Sequence, residues 1–156
     1  MTLIKTRPVA LALTALLSGL LAVSAAAQPR GEPQRLPTVQ LNAGMHNIVA
    51  MVARSPRERE IGLMFREQMA THEGMVFVFE QPATQCFWMR NTPLPLSAAF
   101  VADDGRIVNI EDMAPMSDQS HCSREPVRYV LEMNRGWFAK RGLKAGARLS
   151  GPLFRP

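Results

Sequence analysis

Leu96-Ser97-Ala98-Ala99-Phe100-Val101-Ala102 and Arg106-Ile107-Val108-Asn109-Ile110 stand on either side of Asp103-Asp104-Gly105. Two apolar runs of strand length around an Asp-Gly turn predict a β-hairpin: the turn needs residues that accept positive φ, and the flanks need surface to pack. Upstream, Gly74 precedes Met75-Val76-Phe77-Val78-Phe79, an unbroken apolar run stopped by Gln81-Pro82. Such a run predicts a strand buried on both faces. Residues 84–90 predict the next strand, ended by Asn91-Thr92-Pro93, and residues 38–42 and 48–52 predict two more around a turn at Gly44. Downstream, residues 113–126 are polar and irregular. In 128–133, Tyr129, Leu131 and Met133 fall on one face and Arg128, Val130 and Glu132 on the other. A short helix over 137–141 should stop at Gly142, and a last strand is expected over 147–150. Ser55-Pro56-Arg57-Glu58 reads as a capping box with Pro at the first helical position. Its helix is expected to run to Gln68 with Ile61, Met64, Phe65 and Gln68 on the inner face. The sum is a mainly β protein, a compact antiparallel β-sandwich or barrel with one or two short helices.

The chain has 156 residues, 47% of them apolar and 20% charged, enough to build a core and too apolar for a disordered polar chain. Two cysteines are too few for a disulfide-dense scaffold or a four-thiolate zinc site. Lys5 and Arg7, the apolar run Val9 to Val23 and the small residues Ser24-Ala25-Ala26-Ala27 have the three-part form of a secretory signal peptide. The alternative is an uncleaved anchor, but the A-x-A end favours cleavage. Four segments are therefore expected: a signal peptide at 1–27, a proline-rich linker at 28–37, one β-rich domain at 38–151 and a tail at 152–156. The protein is then exported, periplasmic or secreted, with no stable membrane anchor after cleavage. Cleavage removes Lys5 and Arg7 and no acid, lowering net charge from +5 to +3. The remaining cations are scattered among acids rather than set in a stripe, so no nucleic-acid partner is expected.

Several unusual strings co-occur in one order: Gly62-Leu63-Met64-Phe65-Arg66, Gly74 to Phe79, Phe87-Trp88-Met89-Arg90-Asn91-Thr92, Gly105-Arg106-Ile107-Val108, and Tyr129-Val130-Leu131-Glu132-Met133-Asn134-Arg135-Gly136. Together they resemble the family catalogued as domain of unknown function 192, over residues 38–151. The resemblance implies a compact β-sandwich or barrel, often exported, and no established reaction, substrate or cofactor. Where that family usually carries Asp after the Pro-Leu that follows Asn-Thr, this chain has Ser97.

Cys86 and Cys122 can form a disulfide closing 37 residues, worth about 4 kcal/mol in the chain-entropy model. An even count in an exported chain favours the bridge over a nucleophilic thiol helped by His121, His72 or Asn91. Thioethers of Met64, Met75, Met89 and Met133 with His72 or His121 would suit copper(I), but core packing explains these positions and no metal site or cofactor is assigned. His72-Glu73 is not followed by the second histidine of a zinc-protease motif, and phosphate-loop and nucleophile-elbow strings are absent. What remains is polar residues inside apolar strings: Arg66, Trp88, Arg90, Asn91, Thr92, Glu132 and Asn134. A carboxylate at a strand centre needs a partner if buried, and Arg66 or Arg90 can supply one. The plain reading is an ion pair that fixes strand register. The sharper reading is a polar patch beside Trp88 that grips a small ligand or an envelope partner. Non-catalytic binding is expected, with an envelope hydrolase or transferase and copper(I) handling as the alternatives.

Overall fold

The structure is a computed structural model that describes residues 31–154. The expected signal peptide lies outside the described residues, as do 28–30 and 155–156. Strand β1 (Thr38–Ala43) turns at Gly44, whose φ is +59°, into β2 (His46–Ala53), and helix α1 (Pro56–Ile61) follows. Strand β3 (Glu73–Ala83) then returns parallel to β2. After it come β4 (Cys86–Phe87), β5 (Leu96–Val101), β6 (Ile107–Met113), β7 (His121–Cys122), β8 (Val127–Asn134) and β9 (Leu149–Ser150). Seven strands form one sheet in the order β6-β5-β8-β3-β2-β1-β9, and β4 pairs with β7 in a small second sheet.

The large sheet curls until its ends touch. Arg106 at the start of β6 bridges Arg148 before β9, the Ile107 N–H donates to the Ala147 carbonyl, and the Leu149 N–H donates to the Gly105 carbonyl. The result is a strongly curled half-barrel. Gly105 is needed at this seam. Its φ is +81°, and a Cβ there would run into the Leu149 carbonyl.

Apolar layers cover both faces of the sheet, which is why β3, β5 and β8 read as near-continuous apolar runs. Leu41, Ile48, Val76, Leu131, Met133 and Phe138 pack on one face. Met75, Phe77, Leu96, Ala98, Phe100 and Val130 pack on the other. The alternation read in β8 is the observed one: Tyr129, Leu131 and Met133 join the first layer and Val130 the second.

Four expectations need correction. First, the mainly antiparallel sheet contains one parallel pair, since β2 and β3 run parallel from Val49↔Glu73 to Ala53↔Phe77. Second, α1 ends at Ile61, not Gln68. The capping box forms, with Glu58 N–H donating to Ser55 Oγ at 3.2 Å and Ser55 N–H to Glu58 Oε2 at 2.8 Å. Gly62 then adopts φ +49° and Phe65 φ +64°, so the chain leaves the helical spiral and Leu63 becomes buried while Gln68 is exposed. Third, the strand expected over 84–90 shrinks to Cys86–Phe87, because Met89 turns into the core and Asn91, at φ +55°, reverses the chain. Fourth, the described part of the proline-rich stretch is docked rather than free. Gln34 Nε2 donates to the carbonyls of Glu58 and Gly62, each at 2.8 Å, adding to the Gly62 N–H bond that Glu58 already accepts and tying residue 34 to the end of α1.

Candidate functional site

Glu132 sits in the middle of β8, between Met75 of β3 and Ala98 of β5 on the neighbouring strands. Strand alternation therefore turns its carboxyl toward the layer of Met75, Phe77 and Phe100. The residue is only 4% exposed. Helix α1 and β4 stand on either side of an open cleft of about 340 Å³, and the Glu132 side chain is part of its lining.

The walls are largely aromatic. Phe77 and Phe79 from β3, Phe87 from β4, and Trp88 line the cleft. Phe87 meets Phe77 edge to face at 4.7 Å between ring centroids, and Phe79 and Phe100 at 6.4 and 6.1 Å. Cys86 is disulfide-bonded to Cys122, its direct ladder partner on β7, so the β4 wall is tied to the long loop beyond β6. On the α1 side, Arg59 lies over the Phe79 ring at 4.8 Å, donates to the carbonyl of Val78 at 2.9 Å and to that of Arg54, and pairs with Glu80 at 3.2 Å.

Among the described residues no group donates to the Glu132 carboxyl, and no cation pairs with it. The expected internal ion pair is thus overturned. Arg66 donates to the Gln34 carbonyl at 3.3 Å and contacts Met51 Sδ, while Arg90 pairs with Asp118 at 2.9 Å and stacks on Trp88 at 4.4 Å. Among the described residues the sealed side-chain polar atoms without partners are Asp103 Oδ1, Trp137 Nε1 and Arg141 Nε, and the Glu132 oxygens are not among them. Glu132 is among the residues that line the cleft. Burial alone pushes the Glu132 pKa up from 4.5 to about 8, so at neutral pH the group is mostly an uncharged acid able to donate a hydrogen bond.

The seven residues singled out in the sequence divide by place. Trp88, Thr92 and Glu132 line the cleft. Arg90 braces Trp88 from outside. Asn91 supplies the backbone reversal, its carbonyl accepting from Phe65 N–H at 2.8 Å. Arg66 borders a smaller recess with Leu36 and Met51. Asn134 donates its side-chain amide to the carbonyls of Met69 and Ala70, at 3.0 and 3.2 Å, and so anchors the connection into β3. Sequence reasoning missed Arg59 and Phe87 as cleft residues, and placed Phe77 and Phe79 only in a core strand. The sole signal for them was the aromatic density of residues 77–88.

A second recess of about 360 Å³ lies near Ser97, Asp112 and Phe138. Ser97, Asp112 and Asn109 there are matched internally. The Ser97 hydroxyl donates to Asp112 and accepts from Gly136 N–H at 2.8 Å, and Asn109 binds Glu111, the Cys122 carbonyl and Arg124 N–H.

Fold and site together define a class: a half-barrel with a ring-walled cleft and a buried acid at its floor. The chain belongs to the DUF192 family, described as an uncharacterized ACR, whose model matches residues 38–151. Among solved structures it is similar to a "putative transcription regulator" from Sinorhizobium meliloti 1021, at 42% identity and TM-score 0.68, over 73% of this chain and 92% of that one. It is also similar to a protein of unknown function from Novosphingobium aromaticivorans DSM 12444, at 34% identity and TM-score 0.72, over 85% of this chain and 99% of that one. No curated protein matches the chain.

Proposed function

We propose that this protein is an exported small-ligand-binding domain and that its ligand occupies the Glu132 cleft. The single observation behind this reading is the buried carboxyl of Glu132, a residue lining the ring-walled cleft, without a hydrogen-bond or ion-pair partner among the described residues. Leaving such a group unmet costs about 1–3 kcal/mol, which a ligand's polar group can recover. The volume, about 340 Å³, lies at the small end of the ligand-pocket range. Export is supported by the basic, apolar and small-residue segments at 1–27 and by the Cys86–Cys122 bridge, since disulfides persist in oxidising compartments. The name carried by the Sinorhizobium protein would bring nucleic acid into view. The arginines here are interleaved with acids, as in the pairs Arg90–Asp118, Arg106–Glu125 and Arg148–Asp104, which is a poor phosphate stripe.

A protein-observed NMR screen of small apolar-polar fragments against the full chain and its exported form tests the binding reading. Hits should perturb Phe87, Trp88 and Thr92 resonances and weaken in Trp88→Ala. Hits that map elsewhere, or no hits, would remove the reading. Fractionating cells that express the full chain tests export. A periplasmic or secreted product shortened by 27 residues is expected, and an intact product in the cytoplasm would contradict it.

One feature also suits catalysis: an acid with a pKa near 8 can protonate a leaving group at neutral pH. The thiol route is weaker, because among the described residues both cysteines are bridged.

A further inference from the structure

A carboxyl set among aromatic rings without a cation is one half of an ion pair. We propose that the cleft takes an organic ammonium ion on a compact apolar body, its ammonium group seated against Glu132 and its body among the rings of Phe77, Phe87 and Trp88. The inference rests on the cleft being a ligand site, and it names the ligand's charge.

Charge complementarity is the first ground. The charged residues lining the cleft besides Glu132 are Arg59 and Glu60, both on α1. Arg59 is already engaged by Glu80 and by the carbonyls of Arg54 and Val78. Glu60 adds negative potential at the α1 side. From the other elements packed around Glu132 come Met75 and Phe77 of β3, Ala98 and Phe100 of β5, and Phe87 of β4, none of them charged. Among the described residues an anionic ligand would find no free cation there, and a carboxyl group in the lining.

The rings are the second ground. Ring faces carry negative quadrupolar charge and attract ammonium groups most strongly where water is excluded. The cleft offers the rings of Phe77 and Phe87, and those of Phe79 and Trp88, whose other cation contacts are Arg59 at 4.8 Å and Arg90 at 4.4 Å. Phe77 and Glu132 are 1% and 4% exposed, so the inner end is the drier one. Neutral sugars would use one stacking face and several hydrogen-bonding side chains. Here the polar side chains facing the cleft, apart from Arg59, Glu60 and Glu132, are Gln85 and Thr92.

Binding is a proton exchange. The neutral Glu132 acid loses its proton to solvent as the ammonium arrives, leaving a carboxylate–ammonium pair, so charge and atoms balance. Affinity must then rise with pH while Glu132 is still protonated in the free protein, by about tenfold per pH unit at the limit. It must level off above about 8, where the proton is already gone.

The test uses three probes of one shape: phenethylammonium, its neutral analogue 2-phenylethanol, and the anion 3-phenylpropionate. Each is titrated into the full chain at pH 6, 7 and 8 and followed by NMR shifts of Trp88 and its neighbours. The ammonium should bind tightest, by about tenfold or more over the alcohol at pH 8, with affinity rising between pH 6 and 8. Glu132→Gln should keep the alcohol's affinity and lose both the ammonium preference and its pH dependence. Equal binding of ammonium and alcohol overturns the inference and leaves the cleft reading standing, as does preference for the anion. Failure of all three to perturb the cleft at millimolar concentration overturns both.

Discussion

Replacing Glu132 by glutamine should make the protein more stable, and increasingly so as pH rises. In the unfolded chain the carboxyl loses its proton near 4.5, and in the folded protein not until about 8. Between those values the folded state holds a proton that the unfolded state has released, so stability falls as pH rises through this window. The full displacement corresponds to about 5 kcal/mol at pH well above 8, and about 3 kcal/mol of it is already present at pH 7. Glutamine keeps the shape and a hydrogen-bonding terminus but has no proton to lose. Urea unfolding of wild type and Glu132→Gln at pH 5, 7 and 9, with the disulfide intact, measures the difference. The gap between the two proteins should widen by about 4 kcal/mol from pH 5 to pH 9. Parallel curves across that range would refute the reasoning, because they would mean that burial does not penalise this charge.

Ser55→Ala should cost about 1 kcal/mol through loss of the capping box, read by thermal unfolding, with no change at the cleft. Replacing both cysteines by serine should cost about 4 kcal/mol in denaturant and loosen the β4 wall, seen as faster amide exchange at Phe87 and Trp88. Gly105→Ala should destabilise by about 1–3 kcal/mol from its positive φ alone, and more from the Leu149 carbonyl in its way, and the unfolding midpoint reads it. At the acid end, Glu58, Glu80 and Asp104 have pKa values lowered by hydrogen bonds to backbone N–H groups. Their stabilisation is present above the ordinary carboxylate range and is lost as pH falls through the lowered values. With Glu132 acting in the opposite sense, the stability optimum should fall at mildly acidic pH, about 5, and a pH series of melting temperatures checks it.

Local chemistry was legible and long-range partnership was not. The Asp103-Asp104-Gly105 turn, the capping box at Ser55 and the alternation along β8 each depend on a few adjacent residues, and each is found. That alternation put Glu132 on the Val130 face, which is what brings it to the cleft. The helix was read too long because Met64 and Phe65 continue its apolar period, while Phe65, at positive φ, gives its N–H to a partner far along the chain, the Asn91 carbonyl. The ion pair was expected because a buried carboxylate demands a cation. Which cation reaches it is decided by the parallel β2–β3 connection, and that route leaves Arg66 beside Gln34 and Met51. Arg90 was drawn away by Asp118 in the loop after β6. Sequence spacing carries no record of either preference. The protein met the same physical demand differently, by keeping the acid uncharged.

Whether that acid holds its proton at neutral pH can be observed without reference to stability or ligand. The protein is labelled with carbon-13 at the glutamate side-chain carboxyls, the Glu132 signal is assigned by its loss in Glu132→Gln, and its chemical shift is followed from pH 3 to 10. One carboxyl should titrate near 8 and vanish from the variant's spectra. A Glu132 signal that completes its titration near 4.5, alongside the exposed glutamates, would show a charge already accommodated in the cleft and would contradict the site described.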